Sequence, residues 1–341
     1  MNMQQLGCSN PDCDFTSSGK CVEGYATDEC PHGTSISLDD ILVVDEPSIS
    51  SVQPESAIVL ASGEVLDRVQ TSLMQRRRTS KSIGVIGPND SGKTSLIAGV
   101  YDLLQEGPIS GVSFAGSATL LGFEKVCHLA RAVSRRVVPH TERTSRGADA
   151  TFFHLDLRHA QAELTSVFIS DRSGEDYLSV TDQISQANEF FEIRRADCVT
   201  LLVDGAQLVD SRQRHEVRAA SPQIVDAMIE ARAIRKGCRL AVVLTKKDAV
   251  VASAHAQRVR RDFAELVNSI TELHSAHLGE VRSFEIAASP KDCEQVARGE
   301  GVAELLLYWL LPNVPMVLSV SDETPKFERM IDLLRVEGSE N

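Results

Sequence analysis

Eight consecutive residues, Gly87-Pro88-Asn89-Asp90-Ser91-Gly92-Lys93-Thr94, fit G-x-x-x-x-G-K-S/T in full. An apolar run at 83–86 precedes them and a helical pattern opens near Lys93, so the loop stands between a strand and a helix. Such a loop does one kind of chemistry well, which is holding phosphate. Its glycines let the backbone wrap closely and aim N–H groups inward. The helix N-terminus adds partial positive charge. Lys93 would bridge the β- and γ-phosphates, and the Thr94 hydroxyl would ligate Mg²⁺. Asn89, Asp90, Ser91 and Ser95 complete the lining of the cradle.

A second carboxylate is needed at a strand end to hold water on the metal. The apolar run 164–170 ends in Asp171-Arg172-Ser173-Gly174-Glu175, which puts Asp171 in such a place. Gly174, three residues on, has a backbone N–H suited to sensing a γ-phosphate, an arrangement that orders and disorders with hydrolysis. A third element selects the base. The run 240–244 is followed by Thr245-Lys246-Lys247-Asp248. Guanine offers two adjacent donors, which one carboxylate, Asp248, accepts together; adenine cannot make that pair. The stem of Lys246 would lie along the base face. Thr245 would tie this loop back to the phosphate loop. Near the last strand, Ala287-Ala288-Ser289 offers a backbone N–H for the guanine O6.

These residues need a scaffold, and from Lys81 onward one is legible. Apolar runs at 83–86, 152–157, 164–170, 198–203, 240–244 and 283–287 alternate with amphipathic stretches at 93–105, 122–136, 176–194, 221–236, 253–276 and 301–311. Alternation of this kind predicts a parallel α/β sheet with helices on its faces. A further helix is expected within 57–78, where Glu64, Val65, Leu66, Val69 and Leu73 form a stripe ending in Arg76-Arg77-Arg78. The expected domains are a Cys-rich knob at 1–35, a linker with a helix at 36–80, the catalytic domain at 81–315 and a tail at 316–341. His154 and His159, on and just past a strand, read as structural.

Composition narrows the partners. Acidic residues number 48 against 35 basic ones, a formal net charge of −13. Direct nucleic-acid binding is not expected, because it needs clustered Lys and Arg. No apolar run reaches the roughly 18 residues of a spanning helix. The first residues lack a basic start and an apolar core, and the last lack a lipidation box. The expected location is the cytoplasm. Of eight cysteines, Cys8, Cys13, Cys21 and Cys30 fall near the start, with His32 close behind. A tetrahedral Zn²⁺ on the four thiolates would fold a segment that has no apolar core. Free thiols in an arm, or redox chemistry, are the alternatives. The other four cysteines read as small core residues.

In order and spacing the motifs resemble those of the Ras-like, translation-factor-related P-loop GTPases. GPNDSGKT is similar to their first motif, DRSG to their third, TKKD to their fourth and AAS to a degenerate fifth; the likeness covers about 81–312. It implies a P-loop α/β fold, GTP and GDP as ligands, Mg²⁺ as cofactor and GTP hydrolysis. The second motif is a threonine that ligates Mg²⁺ in the triphosphate state. Thr144 is the first choice and Thr151 the second. Two departures stand out. Thr245 replaces the commoner Asn, which would lower guanine affinity. Glu175 replaces the glutamine that orients the attacking water, so Glu175 either takes that role or leaves turnover low. Arg143 is either a cis arginine finger or only a loop arginine. The longer pattern adds the Cys-rich start, Ser62-Gly63-Glu64-Val65-Leu66 and the insert Ser113-Phe114-Ala115-Gly116-Ser117-Ala118-Thr119-Leu120. It is similar to the bacterial double-GTPase group of conflict and defence gene clusters. That likeness implies partner proteins, among them a second related GTPase, and a switch used in antiviral defence. An ATPase or nucleotide kinase, and a pseudo-GTPase that binds without turnover, are the competing readings.

Overall fold

The computed structural model describes residues 5–8, 33–36, 62–134, 149–159, 164–290 and 295–312. The chain divides into two compact units, Met1–Leu60 and Ala61–Asn341. In the first unit, β1 (Gln5–Cys8) pairs antiparallel with β2 (Gly33–Ile36), Gln5 facing Ile36 and Cys8 facing Gly33. Cys13, Cys21, Cys30 and His32 lie outside the described residues.

The second unit is built on β3 (Ser80–Ile86), β4 (Val112–Gly116), β5 (Thr151–His159), β6 (Leu164–Asp171), β7 (Cys198–Asp204), β8 (Arg239–Thr245) and β9 (Val281–Glu285). They form one sheet in the order β4-β5-β6-β3-β7-β8-β9. β6, β3, β7, β8 and β9 run parallel, and β5 runs antiparallel to both β6 and β4. This is the mostly parallel α/β architecture of the P-loop GTPases. Parallel strands buried on both faces need apolar side chains at every position. β7 and β8 are buried throughout and apolar except for Thr200 and Asp204 in the one and Arg239 and Thr245 in the other. Their side chains part by the pleat. Leu202, Ala241 and Val243 join one core with Leu96, Ile97, Val100 and Trp309. Leu201, Val203, Leu240, Val242 and Leu244 join the other with Ile224, Met228, Phe263 and Ile270. Trp309 is fully buried, and its indole N–H donates to Thr200 Oγ1 at 2.9 Å, so burial leaves no polar group unpaired there.

The helices that cover the sheet are α1 (Arg68–Gln75), α2 (Lys93–Glu106), α3 (Leu120–Ser134), α4 (Gly174–Ser179), α5 (Phe191–Arg194), α6 (Gly205–Val209), α7 (Arg214–Glu230), α8 (Lys247–Val251), α9 (Ala256–His274) and α10 (Val302–Leu310). Four expectations change. The stretch 176–194 is not one helix but α4, a 3₁₀ turn (Ile184–Glu189) and α5. Ser179 and Thr181 hydroxyls bond back to Asp176 O and Leu178 O at 2.7 Å each, competing with continuation of the helix. The expected helix at 221–236 starts earlier, at Arg214, and runs through Pro222. Arg214 and Arg218 reach Asp262 on α9 at 2.6 and 3.2 Å, and these anchors override the local break that proline favours. The helix within 57–78 is confined to α1, opened by a capping box between Asp67 and Gln70. Its Val69 and Leu73, two residues of the stripe, are 66% and 50% exposed. Finally, part of the insert at 113–120 is β4, an edge strand paired with β5.

Candidate nucleotide-binding site

The phosphate loop leaves the end of β3, the strand at the centre of the sheet. Gly87 has no room for a side chain: a Cβ there would lie 2.8 Å from Ser91 Oγ and 3.1 Å from the Leu202 carbonyl oxygen. Asp90 (φ 58°) and Gly92 (φ 95°) take left-handed backbone, which turns the chain sharply into α2. Ser91 is fully buried and donates to Pro88 O at 2.8 Å, bracing the loop from inside. Helix α2 is held in place by close packing. A Cβ on Gly99 would stand 3.1 Å from that of Ala288, so the helix lies directly on the loop after β9.

Lys93 opens α2 and is buried, its ammonium donating to Gly87 O at 3.0 Å and Pro88 O at 2.9 Å. Burial pushes its pKa down to about 8, against the pull of Asp171 and Asp90. Thr94 Oγ1 donates to Asp171 Oδ2 at 3.1 Å. Asp171 is buried at the end of β6, and its other oxygen, Oδ1, has no hydrogen-bond partner among the described residues. Burial raises the Asp171 pKa, while Lys93 and the Thr94 hydroxyl act the other way. A buried carboxylate with one orphaned oxygen beside a hydroxyl is a donor set that a hard divalent cation satisfies. Thr151, at the start of β5, faces Asp171 in register, its hydroxyl 3.5 Å from Asp171 O. Thr144 and Arg143 lie outside the described residues.

After Asp171 the chain turns back over the phosphate loop. Gly174 is pressed onto it: a Cβ there would sit 2.4 Å from both Asn89 N and Pro88 C. Ser173 caps α4 through Glu175 N. Asn89 Nδ2 donates to Glu175 Oε1 at 2.8 Å, so loop and helix are joined through side chains as well. Arg172 turns away from the loop. It is buried, donates from Nε to Glu192 Oε1 at 2.7 Å and lies over the Phe190 ring at 4.8 Å. Tyr177 also donates to Glu192, at 3.2 Å. Arg172 and Glu192 therefore rivet the segment that carries Gly174 to the body of the domain. Nothing in the local sequence marks Glu192 as their partner, because the pairing spans the broken helical stretch.

At the other end of the site, Thr245 ends β8, Lys246 follows in left-handed backbone (φ 53°), and Asp248 stands in the first turn of α8. The Thr245 hydroxyl donates to Val203 O at 3.3 Å, so it ties β8 to β7 rather than to the phosphate loop. Gly92 is nonetheless its neighbour: a Cβ there would lie 3.8 Å from Thr245 Cβ. Lys247 N donates to Ile286 O at 3.0 Å, which joins this loop to the run Ala287-Ala288-Ser289. Ala288 is buried against α2, and Ser289 is exposed. Asp204 and Gly205, at the end of β7, escaped the sequence reading. Asp204 accepts from Lys246 Nζ at 2.6 Å and from Ala206 N at 2.9 Å. Gly205 admits no Cβ, because one would stand 2.4 Å from Thr245 O. Among the described residues, no group of three or more His, Cys, Asp or Glu is arranged to hold a metal ion; of the expected zinc ligands, Cys13, Cys21 and Cys30 lie outside those residues.

Solved structures similar to the chain include the mammalian signal recognition particle (SRP) receptor, at 13% identity over 67% of this chain and 100% of that one, with a TM-score of 0.35. The receptor SRb-GTP/SRX complex from Chaetomium thermophilum matches at 14% identity over 68% and 96%, with a TM-score of 0.38. Elongation factor SelB from Methanococcus maripaludis, in complex with a GTP analogue, matches at 16% over 68% and 34%, with a TM-score of 0.34. Likenesses this distant carry no argument about activity. No curated protein matches significantly. The family model described as Double-GTPase 2 matches residues 81–310, from the second residue of β3 to the end of α10. The chain belongs to the Double-GTPase 2 family.

Proposed function

We propose that the chain is a Mg²⁺-dependent switch that binds and hydrolyses GTP and signals to partner proteins through the segment after Asp171. The observation that carries this reading is the meeting of Thr94 and Asp171 at 3.1 Å beside the buried Lys93, with one carboxylate oxygen unpartnered among the described residues. Thr94 and Asp171 would hold Mg²⁺, joined by Thr144 or Thr151 in the triphosphate state. Bound there, the metal would neutralise charge on the β- and γ-oxygens. Lys93 would supply the phosphates with positive charge, and the N–H groups of residues 87–95 would line them. Gly174 would report on the γ-phosphate through its backbone. Glu175, steadied by Asn89, would orient the attacking water, with Arg143 adding charge as a cis arginine finger. Asp248 would select guanine, aided by the Lys246 stem and the backbone near Ala288 and Ser289.

Partner proteins, a second related GTPase among them, would read the position of Gly174. A role in a bacterial conflict or defence system and a cytoplasmic location belong to this reading through the resemblance of the motifs alone; separately, no helix among the described residues is long and apolar enough to cross a membrane. A Zn²⁺ on Cys8, Cys13, Cys21 and Cys30 would be detected by elemental analysis.

The decisive experiment is single-turnover hydrolysis of GTP and ATP with Mg²⁺, alone and with candidate partners. GTP turnover that requires Mg²⁺ and disappears in Asp171→Ala supports the reading. Glu175, in place of the water-orienting glutamine, favours a second reading, a nucleotide-binding scaffold. Tight GTP binding with no turnover under any condition would establish that one.

A further inference from the structure

Asp204 is an ionisable side chain buried in the middle of this domain, and the functions assigned so far leave it unused. It is fully buried at the end of β7, a position where an isolated carboxylate is strongly disfavoured. Its oxygens are divided between two tasks. Oδ1 accepts from Ala206 N at 2.9 Å and Gln207 N at 3.2 Å, capping α6. Oδ2 accepts from Lys246 Nζ at 2.6 Å. The pair is strongly asymmetric, because the Lys246 side chain is 38% exposed while that of Asp204 is wholly enclosed.

The geometry matters because of what it does to Lys246. Its backbone sits at φ 53°, ψ 44°, a region that residues other than glycine rarely adopt. Its ammonium is fixed on the neighbouring strand, where Asp204 pairs in register with Thr245. Gly205 lets the two strand ends approach, since any side chain there would run into Thr245 O. The lysine stem is thus tethered at both ends and spans the gap between the ends of β7 and β8. A stem so held is a rigid apolar rail beside Asp248, and rigidity in the free protein removes an ordering cost from binding.

We infer that Asp204 is a positioning residue for base recognition: it fixes Lys246 as the platform on which the purine lies. The inference rests on the reading of Thr245-Lys246-Lys247-Asp248 as the base-selecting loop. It assigns Asp204 a share of the affinity for the base and none of the affinity for phosphate.

The test compares GDP with inorganic tripolyphosphate as ligands for the full chain, using Asp204→Asn, Lys246→Met and the double variant. Asn keeps an oxygen for the helix cap but presents a donor toward the ammonium. Met keeps most of the stem but cannot be held. Each single variant should bind GDP about tenfold more weakly or worse, the scale of one charge-assisted bond. Tripolyphosphate affinity should stay within about twofold of wild type. The double variant should lose no more than the worse single one, because both act through one bond. GDP affinity unchanged in either single variant, or equal losses for GDP and tripolyphosphate in either variant, would overturn the inference. If Asp204→Asn does not fold, Asp204→Ser, which keeps an acceptor for the helix cap but cannot reach the ammonium, takes its place. A wild-type chain that binds tripolyphosphate but shows no preference for GDP would instead refute the base-selecting loop, and the inference with it.

Discussion

Lys93 gives the site a dependence on pH that can be worked out in advance. Burial holds its pKa at about 8, so near neutrality the free protein already carries a partly neutral lysine. A bound diphosphate keeps the ammonium charged and lifts that pKa, so binding takes up a proton as pH approaches 8 and beyond. Affinity is therefore full well below pH 8 and falls as pH rises through it. With a midpoint of about 8, the protonated fraction drops from about 0.9 at pH 7 to about 0.24 at pH 8.5, so the GDP dissociation constant should rise roughly fourfold, or about 0.8 kcal/mol. The GDP phosphates are almost fully ionised over this range and cannot cause the loss. Isothermal titration at constant ionic strength measures it, and buffers of different ionisation heat reveal the proton taken up. Arginine stays charged throughout, so Lys93→Arg, where it still binds, should show a flat profile. A wild-type profile flat from pH 7 to 8.5, or an equal slope in the arginine variant, would refute the reasoning.

Three more outcomes are expected. Gly174→Ala forces a Cβ into the backbone of Pro88 and Asn89, 2.4 Å away. It should lower the stability of the free protein by about 1–3 kcal/mol, read from the denaturation midpoint; an unchanged midpoint means the segment does not rest on the loop. Asn89→Ala removes the 2.8 Å bond to Glu175 and should cut GTP turnover about tenfold while leaving GDP affinity within about twofold; turnover at the wild-type rate discards the positioning of Glu175. Asp248→Asn should weaken GTP binding about a hundredfold or more and shift preference toward xanthosine triphosphate, since the paired donors of guanine lose their acceptor; an unaltered preference discards the base assignment.

Much of the site was legible because its residues belong to loops whose sequence is fixed by backbone demands. Gly87, Gly92 and Lys93 announce a phosphate loop by type and spacing, and the buried strands announce themselves as unbroken apolar runs. What escaped depends on contacts far apart in sequence. Asp204 looks like an ordinary strand end until β8 brings Lys246 beside it. Arg172 reads as filler in a motif until Glu192 folds back to it. The helix containing Pro222 begins two turns early because Arg214 and Arg218 meet Asp262 on another helix. Val69 and Leu73 kept a helical spacing that α1 places toward the exterior, since the spacing names a face without naming its partner. Thr144 and Arg143, chosen from the family pattern, lie outside the described residues.

The central claim is that one pocket holds both a magnesium-bound polyphosphate and a guanine. Titrating the purified chain with GTP, GDP and ATP in the presence of Mg²⁺ tests both halves at once. The account predicts saturable binding of GTP and GDP at micromolar concentrations, weakened when Mg²⁺ is chelated, with ATP bound at least about a hundredfold more weakly. Equal binding of ATP and GTP, or no guanine nucleotide retained at all, would contradict it.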